Sequence, residues 1–295
     1  MGMGIGSLLA APLWTWSIAQ FGWRPTYTAN GVVFLVVLGF LATLIRFPPT
    51  GWAFHPGTGW QPTPASAPPT GAALPAADLN LRVALGRPQF ALVALLFFLT
   101  VFGGMMVIGQ LAAFAAEPAP AGPGLGLATA AKLVMILALF NGIGRPAWGW
   151  IAGRIGPRWA LATCPLLMTA AMALFALGHT APVLALAAAL CGFSFGGTLA
   201  LVPIMTTALF GPAFVGRVYG LIYFLGLGGG GFLGPPTGAW MHHRYGDYDP
   251  AFALSAAMAT LAALLAATLL PPRGREHLGR VASPSGPAGL PTRVT

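Results

Sequence analysis

A chain of 295 residues with only 6% charged and 57% hydrophobic side chains, at a mean hydropathy of +0.78, lies far from a water-soluble domain, in which about a quarter of residues carry charge. Its formal charge of +9 does not indicate nucleic-acid binding, because all but one of the 14 cations are arginines scattered between apolar blocks rather than gathered into a basic stripe. Cys164 and Cys191 sit in apolar segments without Cys-x-x-Cys or histidine spacing, which argues against a disulfide framework and a zinc site and leaves them as small core residues.

An apolar block of about 20 residues, rising 1.5 Å per residue, crosses the roughly 30 Å hydrocarbon core of a bilayer. Eight blocks qualify, and they predict an all-α integral membrane protein. The first, 2 to 22, includes Gly2-Met-Gly-Ile-Gly6, with no basic region ahead of it and no small-residue cleavage site behind, so it does not read as a signal peptide. Gly22-Trp-Arg-Pro25 turns the chain into a second span at 26 to 45. Residues 47 to 80 are rich in Pro, Gly, Thr and Ala and nearly uncharged, and 47 to 87 reads as a linker between two bundles. Six further spans follow at 88 to 116, 125 to 152, 158 to 178, 181 to 209, 216 to 242 and 250 to 271. They are separated by Pro118-Ala-Pro120 with Gly122-Pro123, Gly178-His-Thr-Ala-Pro182, Gly211-Pro212 and Gly246-Asp-Tyr-Asp-Pro250. Residues 272 to 295 read as a disordered tail.

Loop charges give the orientation. Alternate connections place Arg46, Arg82, Arg87, Arg154, Arg158, Arg217 and the four tail arginines on one side, against Arg24 and Arg244 on the other. The arginine-rich side is cytoplasmic by the positive-inside rule, so the linker and both termini lie inside.

One cation resists that sorting. Arg145 lies nine residues before the basic turn Arg154-Ile-Gly-Pro-Arg158, about 14 Å into the membrane along a helix. Intramembrane arginines face a cavity or a partner, which makes Arg145 a functional candidate, with snorkelling to the cytoplasmic surface or structural pairing to neighbouring carbonyls as the alternative. Asn141, four residues earlier, shares its helix face, with Trp148 and Gly149 beside them. Lys132 starts the same span and can snorkel outward. Gln110 is deep enough to line a path or to tie two helices together. Tyr223 either meets a substrate carboxylate or fills a helix interface, and Tyr219 reads as an interfacial aromatic. Phe193 and Phe195 read as core packing with a lesser claim on a cavity wall. The five acids, Asp78, Glu117, Asp247, Asp249 and Glu276, fall in loops or at span ends, and His242 and His243 flank an outer loop, so neither acid–base catalysis nor a metal site is expected.

Several blocks together resemble the major facilitator superfamily, in its oxalate/formate antiporter-like and monocarboxylate-porter-like branch. They are Gly2-Met-Gly-Ile-Gly6 with Pro12, Gly22-Trp-Arg24, Phe102-Gly-Gly-Met-Met-Val-Ile-Gly109, Asn141-Gly-Ile-Gly-Arg-Pro-Ala-Trp-Gly149, Gly192-Phe-Ser-Phe-Gly-Gly197, Phe210-Gly-Pro with Gly216-Arg-Val-Tyr-Gly220, and Gly231-Phe-Leu-Gly-Pro-Pro236. The resemblance covers residues 1 to 273 and implies that the chain corresponds to family helices 5 to 12: two helices of an N-terminal bundle in 1 to 46 and a six-helix C-terminal bundle in 88 to 271.

In that resemblance Arg145 matches a cavity-facing arginine that pairs with a substrate carboxylate, with Asn141, Tyr223 and Gln110 as further substrate-binding candidates. Oxalate carriers in the branch have a second cation at the position of Gly226, seven residues after the first tyrosine of Tyr219-Gly-Leu-Ile-Tyr223. Its replacement by glycine favours a monocarboxylate. Gly149, Arg154 and Arg158 match the cytoplasmic gating motif, whose usual aspartate is replaced by Gly153. The implied function is secondary transport of a small organic anion by alternating access in a bacterial plasma membrane, coupled to a proton or a counter-anion and without a cofactor. The alternative is a non-transporting membrane paralogue or a nonfunctional truncated remnant.

Overall fold

The computed structural model describes residues 13–14, 16–44, 52–55, 59–62, 81–119, 121–211 and 215–269. Among them are α1 (Trp23–Leu44), β1 (Trp52–His55), β2 (Gly59–Pro62), α2 (Leu81–Leu85), α3 (Pro88–Ala116), α4 (Leu127–Ile155), α5 (Pro157–Leu177) and α6 (Ala181–Phe210). The chain continues as α7 (Val215–Tyr245) and α8 (Asp249–Thr268). Seven of these helices are long and apolar enough to cross a membrane.

The expected boundaries agree with the observed ones to within a few residues, because the same punctuation that broke the hydropathy pattern ends the helices. Pro88, Pro157 and Pro182 stand in first turns, where a missing N–H costs nothing. Gly156, Gly211 and Gly246 close α4, α6 and α7 at φ of +87°, +87° and +81°, a region that disfavours other residues. Most of the expected first span, 2 to 22, lies outside the described residues. Residues 16–21 are helical, Gly22 (φ +81°) separates them from α1, and the Ser17 and Thr26 hydroxyls meet across the break at 3.0 Å. In α1 only Thr26 is buried. The linker holds regular structure that its composition did not announce: β1 and β2 pair antiparallel, with Trp52 opposite Pro62 and Phe54 opposite Trp60. The tail lies outside the described residues.

Helices α3 to α8 form one bundle. The most extensive contacts join α4 to α6, α5 to α8 and to α6, and α3 to α7 and α8. Phe97, Leu111, Met168, Phe175, Leu184 and Phe210 are among the fully buried side chains at its centre. Because lipid is as apolar as leucine, membrane helices gain association energy from close packing and polar ties. Both are present. Ser194 donates to the Cys164 carbonyl at 2.6 Å, and the hydroxyls of Thr169 and Thr260 meet at 3.1 Å between α5 and α8. Along α7, glycines at every fourth position, Gly226, Gly230, Gly234 and Gly238, lie against Phe97, Phe98, Phe102 and Met106 of α3. A Cβ added at Gly234 would stand 2.6 Å from the Phe102 carbonyl oxygen. Within α7, Phe224–Gly228 adopts π-helical geometry.

Candidate functional site

The site is built on α4, whose 29 residues place Arg145 ten positions before the helix end at Ile155, about 15 Å of helix. Asn141, Arg145 and Trp148 follow at spacings of four and three and so share one face. That face packs on α6 at close range because α6 presents glycines to it. A Cβ on Gly192 would strike the Leu137 carbonyl, one on Gly196 the Asn141 carbonyl, and one on Gly197 the Trp148 indole; in the reverse direction, one on Gly144 would strike the Phe193 carbonyl.

Trp148 is buried to 5% exposure, with its ring 5.7 Å from that of Phe193. The indole Nε1 of Trp148 and the Oδ1 of Asn141 are both buried without a hydrogen-bond partner among the described residues. In an apolar interior each such group costs about 1–3 kcal/mol, so a structure that retains two of them beside an arginine keeps hydrogen-bonding capacity ready for something else.

The second wall is α7. Tyr219 and Tyr223 stack edge to face at 5.6 Å, and Tyr223 packs on Phe97 at 6.1 Å. Tyr219 lies near enough to Arg145 for the guanidinium charge to act on its hydroxyl. Tyr219 is expected from the sequence as an interfacial aromatic; in the structure it stands near Arg145, with the Tyr223 ring packed against it. A signal was available in the four-residue spacing of the two tyrosines, which puts them on one helix face.

The other candidates separate. Gln110 donates its amide to the Pro235 carbonyl at 3.2 Å, tying α3 to α7. Phe195 is buried against Gly104 and Met168, as core packing predicts, whereas Phe193 joins Trp148. Lys132 is exposed. Gly226, the position of the second cation in the resemblance, is buried with its backbone against the Phe97 ring, so a side chain there requires Phe97 to move.

At the turn between α4 and α5, Gly149 and Gly153 face open space. The Arg154 guanidinium lies 3.9 Å from the centre of the Trp150 ring. Arg158 donates to the Ala267 carbonyl in the last turn of α8, where the helix dipole favours a cation. This motif therefore joins α4, α5 and α8 within the bundle.

Among the described residues no group of three His, Cys, Asp or Glu side chains could hold a metal ion. A depression on the exposed side of α7, lined by Phe232, Leu233, Pro236, Thr237 and Trp240, carries no charged group and lies apart from Arg145.

Comparison with known proteins gives a consistent picture. Residues 118–293 match the family model of the Major Facilitator Superfamily. The chain is 29% identical over 280 residues to the oxalate:formate antiporter of Oxalobacter formigenes, covering 93% of this chain and 61% of that protein. It is 26% identical over 268 residues to monocarboxylate transporter 12-B of Danio rerio, covering 86% of this chain and 56% of that one. The chain thus spans about three fifths of the length of these relatives. Among solved structures it resembles the Escherichia coli fucose:proton symporter (TM-score 0.52, 20% identity, 82% of this chain and 54% of that one). It also resembles a peptide transporter crystallised with sulfate (TM-score 0.57, 20% identity, 65% and 39%).

Proposed function

The chain belongs to the major facilitator superfamily, and on that premise we propose that its six-helix bundle holds the carboxylate of a small organic anion at Arg145 during alternating-access transport. The observation that carries this reading is the shared α4 face of Asn141, Arg145 and Trp148, on which the Asn141 Oδ1 and Trp148 Nε1 are buried without hydrogen-bond partners among the described residues, with Tyr219 of α7 near Arg145. A guanidinium offers paired donors matched to the two oxygens of a carboxylate, and a water-poor cavity strengthens the pairing. Tyrosine hydroxyls and the Trp148 indole add neutral donors.

The substrate is a monocarboxylate. A dicarboxylate asks for a second cation, and the position that supplies one in the resemblance is Gly226, packed against Phe97. The names of the relatives, oxalate:formate antiporter and monocarboxylate transporter 12-B, point to the same chemical class. Coupling follows from the placement of acids. Among the described residues the spans contain no carboxylate apart from Asp249 in the first turn of α8. Within these spans a proton therefore crosses bound to the substrate as the neutral acid; otherwise its carrier lies on family helices these spans do not include, or a counter-anion takes its place. The bilayer is a bacterial plasma membrane, with the linker and tail on the cytoplasmic side, as the arginine distribution supports.

Uptake of radiolabelled formate and oxalate into liposomes carrying the protein tests this. Removing one member of a desolvated charge pair costs about 2–5 kcal/mol, so Arg145→Gln should lower formate uptake at least tenfold, and formate should be preferred to oxalate. Unchanged uptake in Arg145→Gln refutes the site. Failure of the folded protein to move either anion refutes carboxylate transport and favours a non-transporting membrane paralogue.

A further inference from the structure

At the end of the bundle opposite the linker, α3 and α7 finish beside one another, and each carries one titratable side chain into the gap. Glu117 follows the last residue of α3. Its backbone is fixed on both sides: its N–H donates to the carbonyls of Ala113 and Phe114, and its carbonyl accepts from Gly124 at 2.7 Å. His242 lies in the last turn of α7 and is held just as firmly, with its ring stacked on Tyr248 at 4.1 Å and 24°. The His242 Nε2 lies 3.9 Å from the Glu117 Oε1. That is beyond hydrogen-bond reach, and Nε2 is buried with no other partner among the described residues. The sequence places His242 at the surface; in the structure its side chain is 27% exposed.

We propose that His242 and Glu117 form a proton-operated clasp between the ends of α3 and α7. With the ring neutral, a carboxylate faces the negative ends of two helix dipoles, an unfavourable arrangement. A proton taken from the solution on that side converts the imidazole into a cation between them. It then donates from Nε2 to Glu117, closing the gap by about 1 Å to the length of a charge-assisted bond.

The surroundings transmit the change rather than compete with it. Tyr248, 3% exposed, is held neutral because burial, and after it Glu117, raise its hydroxyl above the ordinary phenol range. A cation over its face adds a cation–π attraction. The Tyr248 ring lies 5.4 Å from Phe114, which packs at 4.9 Å on Phe252 and 6.4 Å on Phe175, so the pair is continuous with the aromatic core of α3, α5 and α8. The remaining charged groups nearby are His243 and Arg244, exposed on the same turn, and Asp247 and Asp249, where the Asp249 N–H donates to the Asp247 carboxylate at 3.2 Å. This inference does not depend on the carboxylate site, and Arg145→Gln should leave it intact.

The test is the melting temperature of the purified chain in detergent as pH falls from about 8 to 5.5. A histidine that gains a carboxylate partner on folding adds stability that is present at low pH and lost as pH rises. The expected gain on acidification is about 2–4 °C, retained in His243→Gln and Tyr248→Phe and absent in His242→Gln. Glu117→Gln, which leaves the stacked ring in place, should abolish it as well and carries the test if His242→Gln does not fold. A wild-type melting temperature that is flat or falls on acidification, or the same rise in Glu117→Gln, overturns the proposal.

Discussion

The α3–α7 contact makes a prediction in which two neighbouring glycines of one helix respond in opposite directions. At Gly234 an alanine Cβ would start 2.6 Å from the Phe102 carbonyl oxygen and 3.1 Å from the Met106 amide nitrogen, where ordinary contact begins at 3.4 Å. Relief from 2.6 to 3.4 Å means a displacement of about 0.8 Å. Both obstacles are backbone, so α7 must lift off α3 as a unit, loosening Gly230 and Gly238 with it. Overpacking of this kind costs about 1–3 kcal/mol, and the rigid neighbours place Gly234→Ala near the upper end. Against it stands the helix preference of alanine over glycine, at most about 1 kcal/mol. The net destabilisation is about 2 kcal/mol, or roughly 4–8 °C in melting temperature. At Gly231 a Cβ meets nothing within 4 Å, so Gly231→Ala keeps only the helix preference and should melt up to about 4 °C higher. Thermal unfolding in one detergent, followed by tryptophan fluorescence, reads both variants. If Gly234→Ala melts at or above the wild type, the close approach of α7 to α3 is not what holds this contact.

Two further outcomes follow from the geometry. Gly226→Lys should lower the melting temperature by driving its side chain into Phe97, and Phe97→Ala in the same chain should recover part of the loss; a fully stable Gly226→Lys would show room where the structure shows a ring. The raised Tyr248 hydroxyl contributes stability that is complete below the ordinary phenol range near 10 and lost as pH rises through the higher folded value. Tyr248→Phe should therefore flatten the alkaline limb of a melting-temperature profile between about pH 9 and 11, and an unchanged limb would assign that loss to other groups.

Much of the fold was legible because membrane spans announce themselves by length and hydropathy, and their ends by proline and glycine. The span read as 88 to 116 is Pro88–Ala116 in the structure. Legibility stopped where the information is carried between helices. The closeness of α4 and α6 depends on which glycine of one meets which carbonyl of the other, and periodicity within one helix gives no such pairing. Tyr219 looked like an interfacial aromatic because its distance from the helix end was readable and its approach to Arg145 was not. Glu117 and His242 stand 125 positions apart, at two helix ends that the sequence could assign to the same side of the membrane but not to the same contact. Gly226 is the instructive case: the absence of a cation there was plain from the residues, while the lack of space beside Phe97 needed the packing.

The π-helical segment at Phe224–Gly228 gives α7 a property its neighbours lack. A π turn holds a residue that an unbroken α-helix between the same fixed points would not contain. Elsewhere in the spans, losing one residue would swing everything beyond it by about 100°, turning core faces outward. Between Phe224 and Gly228 the same loss would restore plain α geometry, leaving the Tyr219–Tyr223 pair in place on one side and the glycines from Gly230 onward seated on α3 on the other. Among the described spans, this is where the length of the chain can drift by one residue while the site keeps its aim.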